Sequence, residues 1–323
     1  MSRVVCTLKL KGLFSYLIRR IILRFFYFRT STVKKIVNGK FLTLNLADLE
    51  QRYLAEDCIR EPENLVVYRA IAKAKLAQNF IDVGANCGHV ALSIVRDFEK
   101  LLLIEPNPNL IPILNDIFIG EKSVCIQECA IVDNENIKIL DLLVPQKSSG
   151  LGSVGGTSFS NKHGVLIKHE VKAMTLMEAL GSMPAQKSYL KIDVEGLEAS
   201  IIESSKNLIN DSRLIVGFEA LSSDAAVLCS KIFKDYVFYC SRFDFMEVGG
   251  ALSKSGMNII KAILFGSSIE VISIDINKMN NYSNYSQIFA VPNEVSSQFE
   301  VALNELWGSV KHLDLKTFSR LES

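Results

Sequence analysis

The sequence predicts an α/β fold, a mostly parallel sheet with helices on both faces. Three observations predict it. Short apolar runs alternate with helical patterns along the chain. The runs are continuously apolar, as strands covered on two sides must be. A glycine-framed turn, residues 84–88, follows the first run and opens directly into a helix, the arrangement that binds ligands in doubly wound sheets.

The elements follow in order. Residues 47–78 read as helical and Pro62 divides them into two helices. Residues 79–83 form the first strand and 90–98 a helix. A second strand, 101–104, precedes a helix at 108–119 with Pro108 in its first turn. Strands are expected at 124–131 and 137–144, then a Gly/Ser/Thr loop at 147–164. A strand at 165–171 leads to a short helix, 175–180. The buried strand 189–194 is followed by a helix at 196–205, a strand at 214–218 and a helix at 225–233. Strands at 237–240 and 287–291 close the sheet. Residues 241–285 read as an insertion, and 297–321 as one or two amphipathic helices around Trp307.

A chain of 323 residues with 49% hydrophobic content holds one large domain or two small ones. Charged residues make up 22%, which argues against wholesale disorder. The net charge of +1 hides an asymmetry. Residues 1–47 hold ten Lys or Arg and no Asp or Glu, leaving −9 for residues 48–323. An acidic body is a poor surface for nucleic acid phosphates, and a nucleic acid partner is not expected. The seven cysteines are irregularly spaced and include no Cys-x-x-Cys pair. They fit neither a disulfide framework nor a zinc ribbon, so a reducing, cytoplasmic compartment is expected. The organisation is a basic amphipathic segment, 1–47, and one domain, 48–323, with C-terminal helices at 297–321.

Within the basic segment, residues 12–28 are apolar but interrupted by Arg19, Arg20 and Arg24. Central arginines disfavour a transmembrane span, and the charge order is wrong for a secretory signal. On a helix, Phe14, Leu17, Ile18, Ile21, Phe25 and Phe28 share one face. That face fits peripheral contact with the cytoplasmic side of a membrane, or docking on the domain itself.

The turn after the first strand reads Asp82-Val83-Gly84-Ala85-Asn86-Cys87-Gly88. Its glycines admit a ligand close to the backbone, and the helix start supplies free N–H groups. Glu105 ends the second strand, where an acidic residue can accept both ribose hydroxyl protons. A dinucleotide site wants Gly-x-Gly-x-x-Gly, whereas Asn86 stands in the middle here. Asp82 also disfavours a pyrophosphate and suits the cationic amino acid end of S-adenosylmethionine. A strand–turn–helix without any ligand is the plain alternative.

Several segments in order resemble one family, the FkbM-type S-adenosylmethionine-dependent methyltransferases. They are the Asp82–Gly88 turn, Glu105-Pro106-Asn107-Pro108, Cys129-Ala130-Ile131, and VKAMTL at 171–176. The last two are Lys191-Ile192-Asp193-Val194-Glu195-Gly196-Leu197-Glu198 and the closing strand 289–292. The resemblance covers roughly residues 65–292. It implies a class I methyltransferase, a Rossmann-like sheet of seven strands with the last antiparallel. It also implies S-adenosyl-L-methionine as cofactor and O-methylation of a saccharide, another small metabolite or a glycoconjugate. Asp82, Gly84, Asn86, Gly88, Glu105 and Ala130 are the expected cofactor-binding residues. Met174 and Met177 depart from the usual pattern around Thr175, and residues 241–285 match none.

A hydroxyl acceptor must lose a proton, so a nearby base is expected. Asp193 ends a central strand on the cofactor side of the sheet, with Glu195 and Glu198 just beyond. Asp193 and Glu195 are candidate catalytic groups, and His163, in the Gly/Ser loop, is a third. Glu195 also has a capping role open to it at the helix start. Glu219, at the end of the fifth strand, is a further candidate for acceptor binding or a metal, and no metal ligand set is assigned. An NAD-dependent oxidoreductase and a non-catalytic, membrane-docked binding protein of the same fold are the alternative functions.

Overall fold

The computed structural model describes residues 3–11, 18, 21–22, 30–56, 61–150, 152–154, 165–181, 183–194, 196–219, 231–243, 268–275, 287–307 and 313–314. The chain opens with strand β1 (Arg3–Lys11) and a hairpin, β2 (Thr32–Val37) and β3 (Lys40–Asn45). Helices α1 (Leu49–Ala55) and α2 (Pro62–Lys73) follow. Next come β4 (Asn79–Val83), α3 (His89–Ile94), β5 (Lys100–Ile104) and α4 (Ile111–Phe118). Strands β6 (Val124–Gln127), β7 (Ala130–Ile131), β8 (Ile139–Pro145), β9 (Ser153–Val154) and β10 (Leu166–Met174) precede α5 (Leu176–Leu180). The remainder runs β11 (Ser188–Ile192), α6 (Glu198–Ser204), α7 (Lys206–Ser212), β12 (Ile215–Phe218) and β13 (Tyr236–Phe243). It ends with β14 (Ser268–Ile274), β15 (Gln287–Pro292), α8 (Asn293–Trp307) and β16 (Leu313–Asp314).

The main sheet has ten strands in the order β16-β1-β14-β13-β15-β12-β11-β4-β5-β6. From β6 to β12 five strands are mutually parallel. β15 then runs antiparallel between β12 and β13, and β14 antiparallel between β13 and β1. The α/β expectation holds, but the sheet is mixed and longer than the seven strands expected. Residues 3–11, 268–274 and 313–314, read as basic segment, insertion and C-terminal helix, are its three extra strands; 313–314 are extended because they pair with β1 at Leu10 and Lys11. The first two bury alternate side chains, Cys6 and Leu8 from one and Ile269 and Val271 from the other. They continue the sheet past β13, which would otherwise be an open edge.

Strands β4 and β11 are buried at every residue, so both faces must be covered. Phe80 and Tyr189 enter one core with Phe289, Tyr68 of α2 and Phe299 of α8. Ile81, Val83, Leu190 and Ile192 enter the other with Ile201 and Ile209 of α6 and α7. Strand periodicity therefore sends Asp82 and Lys191 to the same face as Phe80 and Tyr189. A second sheet, β7-β10-β8-β9, lies beyond β6.

Several expected elements differ at their ends. α4 begins at Ile111, so Pro112 rather than Pro108 occupies its first turn. The run 124–131 divides into β6 and β7 because Glu128 and Cys129 leave the first ladder. The expected helix 225–233 lies mostly outside the described residues, as do residues 308–312 and 315–321 of the C-terminal helices. For residues 12–28, only 18, 21 and 22 are described, in helical conformation.

Candidate active site

A cavity of about 290 Å³ opens at the carboxyl ends of β4, β5, β11 and β12. This is the ligand-binding edge of such sheets. It is lined by Asp82, Gly84, Ala85, Asn86, Glu105, Ala130, Lys191, Asp193 and Glu219, among others. The expected cofactor residues thus converge there, apart from Gly88, which starts α3 behind the turn.

The turn is built by backbone constraints. Gly84 N and Ala85 N both donate to Ile104 O of β5, at 2.9 and 3.1 Å. Gly84 has φ +88°, and a Cβ there would lie 1.9 Å from Asp193 O, so only glycine fits. Asn86 is also left-handed, at φ +54°, and its N–H donates to Glu105 Oε2 at 2.8 Å.

Glu105 accepts a second backbone donor, Asn107 N, on Oε1 at 2.9 Å. Burial pushes its carboxyl up to about 7, opposed by those two N–H groups. Each carboxylate oxygen can still accept another hydrogen bond, so the group can receive two hydroxyls.

Asp82 is 1% exposed, and neither of its oxygens has a hydrogen-bond partner among the described residues. Its nearest cation is Lys191, the register partner on β11, whose Nζ lies 3.3 Å from Oδ1. Lys191 Nζ donates instead to Asp193 Oδ2, at 2.9 Å. Burial pushes Asp82 up to about 6, Lys191 pulls it down and Asp193 pushes it up again. Burial also works against the Lys191 ammonium, but Asp193 and Asp82 outweigh it and hold its pKa well above the usual lysine value. The sequence reading gave Asp82 to a ligand cation and overlooked this protein cation. Lys191 belongs to the Lys191–Glu198 motif, but its pairing with Asp82 follows from strand register.

Of the carboxylates after β11, Asp193 and Glu198 take different partners. Asp193 faces Lys191 with its side chain 30% exposed. Glu198 turns back to accept from Val194 N and Gly196 N at 3.0–3.2 Å, which closes the turn into α6. Glu195 and His163 lie outside the described residues.

The start of the Gly/Ser loop is tied over the cavity. Ser149 donates through N and Oγ to Asp48 at 2.8 and 3.0 Å, and Asn107 Nδ2 donates to Ser149 O at 2.7 Å. Gly150 packs against Asn86 and Glu50 with no room for a Cβ. His89 lines the cavity too, with Nε2 3.3 Å from Glu50 O, rather than facing solvent. Glu50 and Glu61 reach the site from α1 and the start of α2, and sequence reasoning missed both.

These residues fit S-adenosylmethionine. Buried Asp82, whose Oδ1 faces Lys191 Nζ at 3.3 Å and whose Oδ2 has no hydrogen-bond partner among the described residues, can meet an ammonium through Oδ2, and Glu105 can meet a pair of ribose hydroxyls. The site would hold the cofactor through these two and the Gly84–Asn86 backbone.

Residues 82–236 match the Methyltransferase FkbM domain. The family resemblance read from the motifs is borne out over those residues. No curated protein matches the chain. Among solved structures, methyltransferase FkbM from Methylobacillus flagellatus KT is 16% identical with a TM-score of 0.35. That match takes in 50% of this chain and 39% of the other, so the chain spans well under half of that relative. Precorrin-6y C5,15-methyltransferase from Geobacter metallireducens GS-15 is 13% identical with a TM-score of 0.32, covering 64% of this chain and 86% of the other.

Proposed function

We propose that the chain is an S-adenosylmethionine-dependent methyltransferase of class I type that methylates a hydroxyl on a saccharide, small metabolite or glycoconjugate. The FkbM domain match supports methyl transfer in general. The observation that carries the cofactor assignment is Glu105, held by two backbone donors on the cavity that Asp82 and the Gly84 turn also line. When bound, the cofactor supplies a methyl group on a sulfonium, which an oxygen nucleophile takes by in-line displacement.

The chain's own residues orient the partners. Gly84 and Asn86 let the backbone approach the methionine portion. Lys191 holds Asp193 through its Oδ2, and Asp193 receives or positions the acceptor hydroxyl and its proton. Glu195 and His163 are proposed to assist on the acceptor side. The irregular spacing of the seven cysteines, with no Cys-x-x-Cys pair, supports a cytoplasmic setting. Among the described residues no helix is long and apolar enough to cross a membrane.

Calorimetry tests the cofactor assignment. The folded chain is expected to bind S-adenosylmethionine and its demethylated product, and Glu105→Ala to weaken both by at least about tenfold. Absence of heat with either compound overturns the proposal. Unchanged affinity in Glu105→Ala overturns the ribose role.

A further inference from the structure

The β2–β3 hairpin has an outer face that the methyl-transfer site does not use. The strands join through Asn38 and Gly39, both at positive φ, in the manner of a tight hairpin turn. Leu42 and Leu44 turn inward to the core, and Lys35 Nζ is tied to Leu54 O and Ala55 O at 2.9 and 2.8 Å. This orientation leaves the register pair Ile36 and Phe41 outward, 57% and 79% exposed. An outward face of a hairpin packed on a core is ordinarily polar. Cross-strand packing alone does not account for the pair, because each side chain remains mostly in water.

The hairpin strands themselves are basic. Lys34 and Lys40 are exposed beside the pair, and no Asp or Glu occurs before Asp48. Ile18, Ile21 and Ile22, within the same ten-cation stretch, are exposed as well. Exposed aromatic and aliphatic groups ringed by cations fit the headgroup region of an anionic bilayer. A second copy of this face would set lysine against lysine.

We infer that the hairpin's outer face docks on an anionic lipid bilayer, with Phe41 and Ile36 entering the headgroup boundary and Lys34 and Lys40 meeting lipid charge. The inference concerns the hairpin, apart from the segment 12–28, and does not depend on methyl transfer.

Co-sedimentation of the full chain with vesicles tests it. Phosphatidylcholine vesicles containing phosphatidylserine are expected to bind the chain, pure phosphatidylcholine far less, and added salt to weaken the binding. Phe41→Ser is expected to weaken binding about tenfold, and Lys34→Gln and Lys40→Gln about fivefold each. Calorimetry with S-adenosylmethionine is expected to be unchanged in all three, which separates this surface from the cavity. No binding of the parent chain to anionic vesicles overturns the inference, as does full binding by Phe41→Ser. Loss of a dimer in Phe41→Ser, seen by sedimentation velocity with vesicle binding intact, overturns it in favour of self-association.

Discussion

Asp82 and Glu105 are both carboxylates placed where water is nearly absent, and burial costs the charged form most. Their pKa values are pushed up to about 6 and about 7, whereas in an unfolded chain both ionise near about 4. Between about pH 4 and 7 the folded chain therefore holds more protons than the unfolded one, and stability falls as pH rises. Glu105 alone accounts for a fall on the order of 3 kcal/mol, complete above about pH 7. Urea melts from pH 4 to 8 are expected to show this decline, and Glu105→Gln to flatten it. A stability that climbs through that window would mean both groups ionise freely in the fold. Asp82 and Glu105 were legible because each ends an apolar run before a turn. Lys191 was not singled out, because one of its two carboxylate partners, Asp82, lies across a strand pair rather than nearby in sequence.

The segment read as VKAMTL acquires a physical role at the scale of elements. Thr175 caps α5: its side chain accepts from Glu178 N, and the Glu178 side chain accepts from Thr175 N at 2.8 Å. Thr-x-x-Glu ahead of a helix is a capping box, which satisfies two backbone donors. It sets the corner between β10 and the helix that packs under β11. Thr175→Ala is expected to cost about 1 kcal/mol in urea unfolding, with Thr175→Ser near neutral. Equal stability of all three would remove the cap from the account. Other elements were less readable. The Asn38-Gly39 pair between two alternating runs is a hairpin signal, but the dense positive charge around it drew the segment into a basic tail. β14 carries a partial signal of the same kind, since Ser268-Ile269-Glu270-Val271 alternates polar and apolar residues.

At the scale of the molecule, the N-terminus is built into the sheet. β1 lies between β14 and β16 and pairs with β14 from Arg3 to Lys9. Without it, β14 would present unpaired backbone groups along an apolar strand, a template for association. Deleting residues 2–11 is expected to lower the melting temperature and cause concentration-dependent aggregation, followed by thermal scans and light scattering. A truncated chain that melts as the parent and stays monomeric would show that β1 adds nothing to the sheet. The net charge supports the same division of the chain, because cations cluster on residues that include this strand and the hairpin, while the cavity gathers carboxylates.

The sequence by itself determined the α/β alternation, the glycine turn, the acidic ends of two strands and the resemblance to FkbM-type methyltransferases, which the domain match bears out over residues 82–236. These are local or strictly periodic signals, carried by residues close to one another in the chain. Only the tertiary structure decided that the sheet has ten strands, that Lys191 stands between Asp82 and Asp193, and that Glu198 serves backbone rather than chemistry. It also decided that Ile36 and Phe41 face outward. Each of these depends on which strand lies beside which and in what register, and pairing between distant segments is set by packing of the whole core rather than by any local pattern.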